Sequence, residues 1–310
     1  ATALRPASTA AGNVVTYTTV DYETLVDSPV FAGKFFRSED LGQTVTLNMV
    51  ADDAKYLAAT PAQIQTHRRL VEQALKTFGS KPFDHYDFLV ALTDQMGSIG
   101  LEHHRSSENG VNPEYFTDWN SGPGRRNLLA HEFSHAWMGK VRRPAGQMVP
   151  DFRTPLVNDL LWVYEGQDQF WGYVLGARSG LFTKQETLDA LASIAATQDA
   201  RRARDWRDVE DTTRDPIISA RRPKGWVSYQ RSEDYYNEGL MLWLDADSLI
   251  RQKTGGKKSL DDFSKAFHGV NDGSWVPVTY TFNDVVRVLN GVQRYDWAKF
   301  LREIGRASCR

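Results

Sequence analysis

Hydrophobic and polar positions follow two rhythms along this chain. Val14–Val20 and Gln43–Val50 alternate or run apolar as short strands do, and Tyr86–Thr93 (YDFLVALT) runs apolar as a buried strand does. Between them Ile64, Leu70, Val71, Ala74, Leu75 and Phe78 recur at helical spacing, with Pro61 suited to a first turn and Gly79 to a stop. Residues 97–126 break both rhythms with Gly, Ser, Asn and Pro, which predicts a long irregular loop of the kind that carries function. Beyond Arg126 the helical period dominates. It predicts helices over Asn127–Lys140, Asp159–Ser179, Lys184–Arg204, Asp234–Thr254, Ser259–Phe267, Phe282–Leu289 and Asp296–Ile304.

The pattern predicts an α+β fold. A small strand-bearing lobe occupies 1–125 and includes the loop 97–126; a larger, mainly helical lobe occupies 126–304; 305–310 form a tail outside the fold. Thr254-Gly255-Gly256-Lys257-Lys258-Ser259 superficially suggests a phosphate loop. It lacks the G-x-x-x-x-G-K spacing and a preceding strand, so a helix stop and a cap formed by Ser259 with Asp262 is the better reading.

Composition narrows the chemistry. Thirty-seven basic and 39 acidic residues in 310 leave a formal charge of −2, which gives no field to gather phosphates, so no nucleic-acid partner is expected. No apolar run reaches the roughly 18 residues of a membrane helix, and no membrane partner is expected either. The one cysteine, Cys309, rules out an internal disulfide and a cysteine metal cage, so any metal must be held by His and carboxylates. Such cysteine usage suits cytosol and periplasm alike, and Ala1–Pro6 lacks the basic-then-apolar pattern of a signal peptide.

Leu128 to Lys140 reads LLAHEFSHAWMGK. His131 and His135 stand four apart on a predicted helix, so both imidazoles project from one face and can reach one ion. Glu132 lies beside them, placed to take a proton from a water held by the metal. The alternative, two surface histidines and a solvated acid, fits poorly with apolar Leu128, Leu129, Ala130, Phe133, Ala136 and Trp137. These make the helix a buried one, where unpaired His and Glu are costly. A catalytic zinc takes three protein ligands. In LLWVYEGQDQFWG, Glu165 is a lone acid in an apolar-aromatic helix and is the candidate third ligand. Asp168 and Gln169, three and four residues on, share its face and are candidates to orient a ligating imidazole.

H-E-x-x-H with a downstream helical Glu resembles the thermolysin-like (gluzincin) zinc peptidases. More narrowly, HEFSHAW-x-GK followed by LLWVYEG resembles the glycyl aminopeptidases, metallopeptidase family 61. Asp21–Gly33 (DYETLVDSPVFAG), Gly100–Glu108 (GLEHHRSSE), Gln230–Gly239 (QRSEDYYNEG) and Ser259–Phe263 (SLDDF) extend the resemblance over most of Val15 to Arg302. It implies a thermolysin-like catalytic domain with one zinc per chain, acting on peptides with a free N-terminal Gly or Ala. It also implies a β-rich N-terminal domain and a C-terminal PDZ domain as neighbours, neither of which is visible here. The family usually shows Asn at Met138 and Thr at Asp168.

An aminopeptidase must hold a free amine, and a carboxylate near the zinc does so most simply. The resemblance assigns that task to Glu102; the alternative is a loop acid paired to Arg105. His103 is a candidate pocket residue, and an ordinary hydrogen-bonded loop histidine equally well. The resemblance also assigns Tyr236, in Tyr-x-x-Gly, as a hydroxyl that meets the oxyanion. Tyr235 is its one-residue-off rival, and a tyrosine buried against Trp243 the plain alternative. Arg222 or Arg231 is a weak candidate for a substrate carboxylate, while the arginine pairs 125–126, 142–143, 201–202 and 221–222 read as ion-pairing surface. The expected activity is zinc aminopeptidase; an endopeptidase on the same scaffold, or a catalytically weak peptide-binding module, are the competing readings.

Overall fold

Local signals placed the second helix to the residue. In the computed structural model, which describes residues 1–7, 14–121, 123–214, 229 and 231–304, it spans Pro61–Phe78. Thr60 and Gln63 close a reciprocal cap ahead of Pro61, and Gly79 ends the helix at φ 72°, a left-handed conformation that costs glycine little. We label the helices α1 (Tyr22–Val26), α2 (Pro61–Phe78), α3 (Asn127–Ser134), α4 (Leu161–Ser179), α5 (Lys184–Asp199), α6 (Asp234–Thr254), α7 (Leu260–Phe267), α8 (Phe282–Val292) and α9 (Trp297–Ile304). The strands are β1 (Phe35–Gly42), β2 (Val45–Ala51), β3 (Tyr86–Leu92), β4 (Ile99–Glu102), β5 (Ser106–Val111), β6 (Arg142–Pro144) and β7 (Val278–Tyr280).

Five strands form one sheet in the order β1-β2-β3-β5-β4. β2, β3 and β5 run parallel, and the outer strands β1 and β4 run antiparallel to their neighbours. Every residue of β3 is buried, as a central strand covered on both faces requires. β6 and β7 make a separate small parallel pair. The helices pack beside the sheet around a core that includes the fully buried Trp137, Trp171 and Trp243. This is the expected α+β arrangement of a sheet lobe and a helical lobe. No described helix is long and apolar enough to cross a membrane.

Three expectations fail for physical reasons. Val14–Val20 forms no strand: Tyr17 makes an isolated bridge with Pro6, and Val14 and Val15 face solvent. Residues 97–126 are not one irregular loop, because β4 and β5 lie within them. β5 hides its polar composition by internal satisfaction, the buried Asn109 side-chain amide donating to the carbonyl and hydroxyl of Ser107 at 3.0 and 2.9 Å. α3 stops at Ser134 rather than Lys140, since Gly139 at φ 86° turns the chain and Arg142 N–H returns to Trp137 O at 2.9 Å. Residues 305–310 lie outside the described residues.

Candidate active site

α3 carries His131 and Glu132, and His135 caps its end, at the point where it meets α4 and the outer strand β4; all three are buried. His131 Nε2 and His135 Nε2 lie 3.2 Å apart, and each is 3.5 Å from Glu165 Oε2 on α4. That oxygen is buried with no hydrogen-bond partner. Tetrahedral donors about 2.05 Å from one ion sit about 3.3 Å from one another, so two imidazoles and one carboxylate at these separations fit a zinc ion. Among the described residues a second trio, Glu102, Glu132 and His135, also has ligand atoms within 4.8 Å of one another; it shares His135 with the first.

The acids differ in state. Burial, reinforced by Glu102 and Glu165 and only partly countered by the two imidazoles, pushes Glu132 up to about 7. A divalent cation beside it would pull it down. Its Oε2 is buried without a partner. Burial acts to raise Glu102 too, but His135, its own backbone amide, Lys140 and His131 outweigh that and hold it below the ordinary carboxylate value. The charge of Glu165, followed by burial, keeps the Tyr236 hydroxyl far above its usual pKa and hence protonated.

A cavity of about 430 Å³ opens onto His131, Glu132 and Tyr236 and runs past Gly100, Asn112 and Arg125. A Cβ at Gly100 would lie 2.2 Å from Glu132 Oε1, so any larger residue there would displace that carboxylate. A cavity of similar size lies elsewhere, beside Asp159, Glu210 and Arg302, away from every catalytic candidate.

Residues 124–242, which contain the zinc-binding candidates and Tyr236, match the M61 glycyl aminopeptidases. The match to that family is carried by this stretch of the chain. Among solved structures, an aminopeptidase N family protein from Idiomarina loihiensis aligns with all of this chain and 53% of its own, at TM-score 0.81 and 18% identity. A yeast LTA4 hydrolase aligns at TM-score 0.54 and 16% identity over 86% of this chain and 38% of its own. An M1 zinc metallopeptidase from Deinococcus radiodurans aligns at TM-score 0.51 and 15% identity over 89% and 52%. At such identities the likeness is one of fold. The chain spans about half the length of the first of these structures. No curated protein matches it.

Within the M61 segment, His135 Nδ1 lies 3.1 Å from both the Met138 carbonyl oxygen and Asp168 Oδ2. Both contacts fix the ring so that Nε2 faces the metal position. The Met138 contact uses a backbone atom, so a Met where the resemblance expects Asn leaves it intact. Asp168, where the resemblance expects Thr, adds a buried carboxylate behind the imidazole. Asp168→Asn is expected to weaken zinc binding by about 10- to 100-fold in competition with a chelator; a change under about threefold would show that the carbonyl alone suffices.

Gln169 orients no histidine. Its amide accepts from Asn127 Nδ2 at 3.0 Å and donates to Asn237 Oδ1 at 2.9 Å, tying α3, α4 and α6 together beside the cavity. Tyr236 faces His131, ring centroids 5.8 Å apart, and lines the cavity. Tyr235 is buried behind it, 4.7 Å away, and does not line the cavity. α4 and α6 meet at two glycines of the M61 segment: a Cβ on Gly166 would lie 2.8 Å from the Gly239 Cα.

His103 presents no free nitrogen to the site, because Nδ1 contacts Asp27 at 3.2 Å and Nε2 contacts Glu108 at 3.1 Å. Sequence reasoning missed Asp27, which also accepts from His104 N–H at 2.8 Å and Lys140 Nζ at 3.0 Å. It thereby pins the turn that follows Glu102 to the chain that follows α3. Its place in DYETLVDSP was the available signal, but none of its partners is near in sequence. Arg231 meets no substrate: it is buried, with Nε 2.9 Å from Asp234 Oδ2 and Nη2 paired to Glu238. Arg222 lies outside the described residues.

Proposed function

We propose that this chain is the catalytic part of a zinc aminopeptidase that removes N-terminal Gly or Ala from peptides. One zinc is proposed, held by His131, His135 and Glu165, whose ligand atoms lie within 4.8 Å of one another. The observation that carries the reading is Glu102, whose carboxylate lies within 4.8 Å of the ligand atoms of Glu132 and His135 at the end of β4. A fixed anion so close to the reacting centre favours a substrate whose chain begins there with an ammonium.

Bound zinc supplies Lewis acidity, polarising the peptide carbonyl and acidifying water. Glu132 takes the proton of the attacking water and returns it to the leaving amine. The protonated Tyr236 hydroxyl donates to the carbonyl oxygen as that atom gains charge. Glu102, ionised near neutrality, pairs with the substrate ammonium and sets the cut one residue in. The preference for small residues follows the likeness to the glycyl aminopeptidases.

The test compares Gly- and Ala-arylamides with their N-acetylated counterparts on zinc-loaded protein. Cleavage of the free-amine substrates alone is expected, with loss of activity on chelation. Glu102→Gln is expected to lower kcat/KM for free-amine substrates by about 100-fold, in line with a lost charge pair. Ready cleavage of blocked substrates would make the protein an endopeptidase; zinc binding without any cleavage would make it a binding module.

A further inference from the structure

Arg125 and Arg126 are adjacent and alike in sequence, yet the fold separates their roles. Arg126 is buried, donates Nε to Leu181 O at 2.7 Å, pairs Nη2 with Glu186 Oε1 at 3.0 Å, and stacks its guanidinium 4.6 Å from the Trp119 ring. Those bonds hold the entry to α3. Arg125 is exposed, and among the described residues it makes no hydrogen bond or ion pair. It lines the same cavity as His131, Glu132 and Tyr236, and also borders the small neighbouring pocket that contains Glu114 and Asp118. Neither of those acids comes within ion-pair distance of it.

The charges of the cavity are therefore polarised. Around Arg125 the lining is neutral (Ser98, Asn112, Gly124), and acid is confined to Glu132 at the reacting end. Arg125 lies in a single 3₁₀ turn, Pro123–Arg126, ahead of α3, and precedes His131 by six residues, two at a rise of about 2.0 Å and four at about 1.5 Å, or roughly 10 Å along the axis. An extended peptide covers about 3.3 Å per residue, so Arg125 stands two to three residues beyond the bond that is cut.

We infer that Arg125 is a subsite for a carboxylate on the leaving side of the substrate, which makes short peptides, tri- and tetrapeptides above all, the favoured substrate class. The inference rests on the aminopeptidase reading and specifies its substrate. A guanidinium that no acid within ion-pair distance occupies meets a carboxylate bidentately, where an amide offers one oxygen and no charge.

The test measures kcat/KM for the tripeptide Gly-Ala-Ala and its C-terminal amide on zinc-loaded protein, and for Gly-Ala-Asp-amide against Gly-Ala-Asn-amide. These arms separate a terminal carboxylate from a side-chain one. The wild type is expected to favour at least one carboxylate form by roughly five- to tenfold, and the ratio should shrink as salt is raised. Arg125→Ala should bring the ratio to about one, and Arg125→Lys should restore part of it. A ratio near one in the wild type, or one that Arg125→Ala leaves intact, overturns the subsite while leaving the aminopeptidase standing. Should neither peptide of a pair be cleaved, the aminopeptidase reading fails instead. Calorimetric binding of the same pairs then decides the subsite: equal affinities overturn it, and a carboxylate preference lost in Arg125→Ala upholds it.

Discussion

Replacing Glu132 by Gln is expected to leave zinc bound and to lower turnover by two or more orders of magnitude. None of the three proposed ligand groups belongs to Glu132, so metal analysis of the variant should match the wild type. The isosteric amide fills the same space beside Gly100 but cannot accept the proton. Its carboxylate already sits in a place that resists charge, with burial pushing its pKa up to about 7 before any cation is added. Loss of metal together with activity would mean that Glu132 belongs to the ligand set and that the assignment of Glu165 needs revision.

The second large effect is expected from Arg231→Ala. This side chain is buried between Asp234 and Glu238, one turn apart on α6, and its Nη1 donates to Arg207 O at 2.6 Å. Removing it leaves two buried carboxylates that Arg201 and Arg204 reach only from the flank. Breaking a buried pair in this way costs about 3–5 kcal/mol, and the two flanking arginines place this case at the lower end. Chemical denaturation would read it. A change below about 1 kcal/mol would show that the flanking arginines take over. The same variant should lose kcat on arylamides more than KM, because Tyr236 lies between the two released acids and the start of α6 is what aims it.

The proposed metal ligands were legible because they obey a local rule: His131 and His135 are spaced by the helical repeat, and Glu165 is out of character with its apolar neighbours. α2 and α6 were legible to the residue for the same reason, through Pro61, Gly79 and the run that ends at Thr254. What escaped depends on contacts between distant segments. β5 reads as a loop because its polar side chains are buried only once the strand lies beside β3, where Asn109 Nδ2 reaches Ser107 and, at 3.4 Å, the Leu89 carbonyl. Asp27 has no visible purpose until His103, His104 and Lys140 arrive around it. Gln169 shares a helical face with Glu165, yet Asn127 and Asn237 claim its amide, while Asp168 one residue earlier meets the histidine. Arg125 and Arg126 form the sharpest case. No local rule tells them apart, and burial alone makes one a brace and leaves the other facing the cavity.

The Gly166–Gly239 crossing has a consequence for how this catalyst can change. Glu165 is the immediate neighbour of one glycine and Tyr236 stands three residues from the other, so each rides close to the pivot where two long helices touch. The spacing between the proposed metal ligand and the proposed hydrogen-bond donor is thus set by backbone meeting backbone, and no side chain can be exchanged to adjust it gradually. A methyl group at either glycine would wedge the helices apart and shift both reactive groups at once. Variation in substrate choice is left to the strand and turn residues along the other wall, where a substitution alters the fit of the peptide without moving the machinery that cuts it.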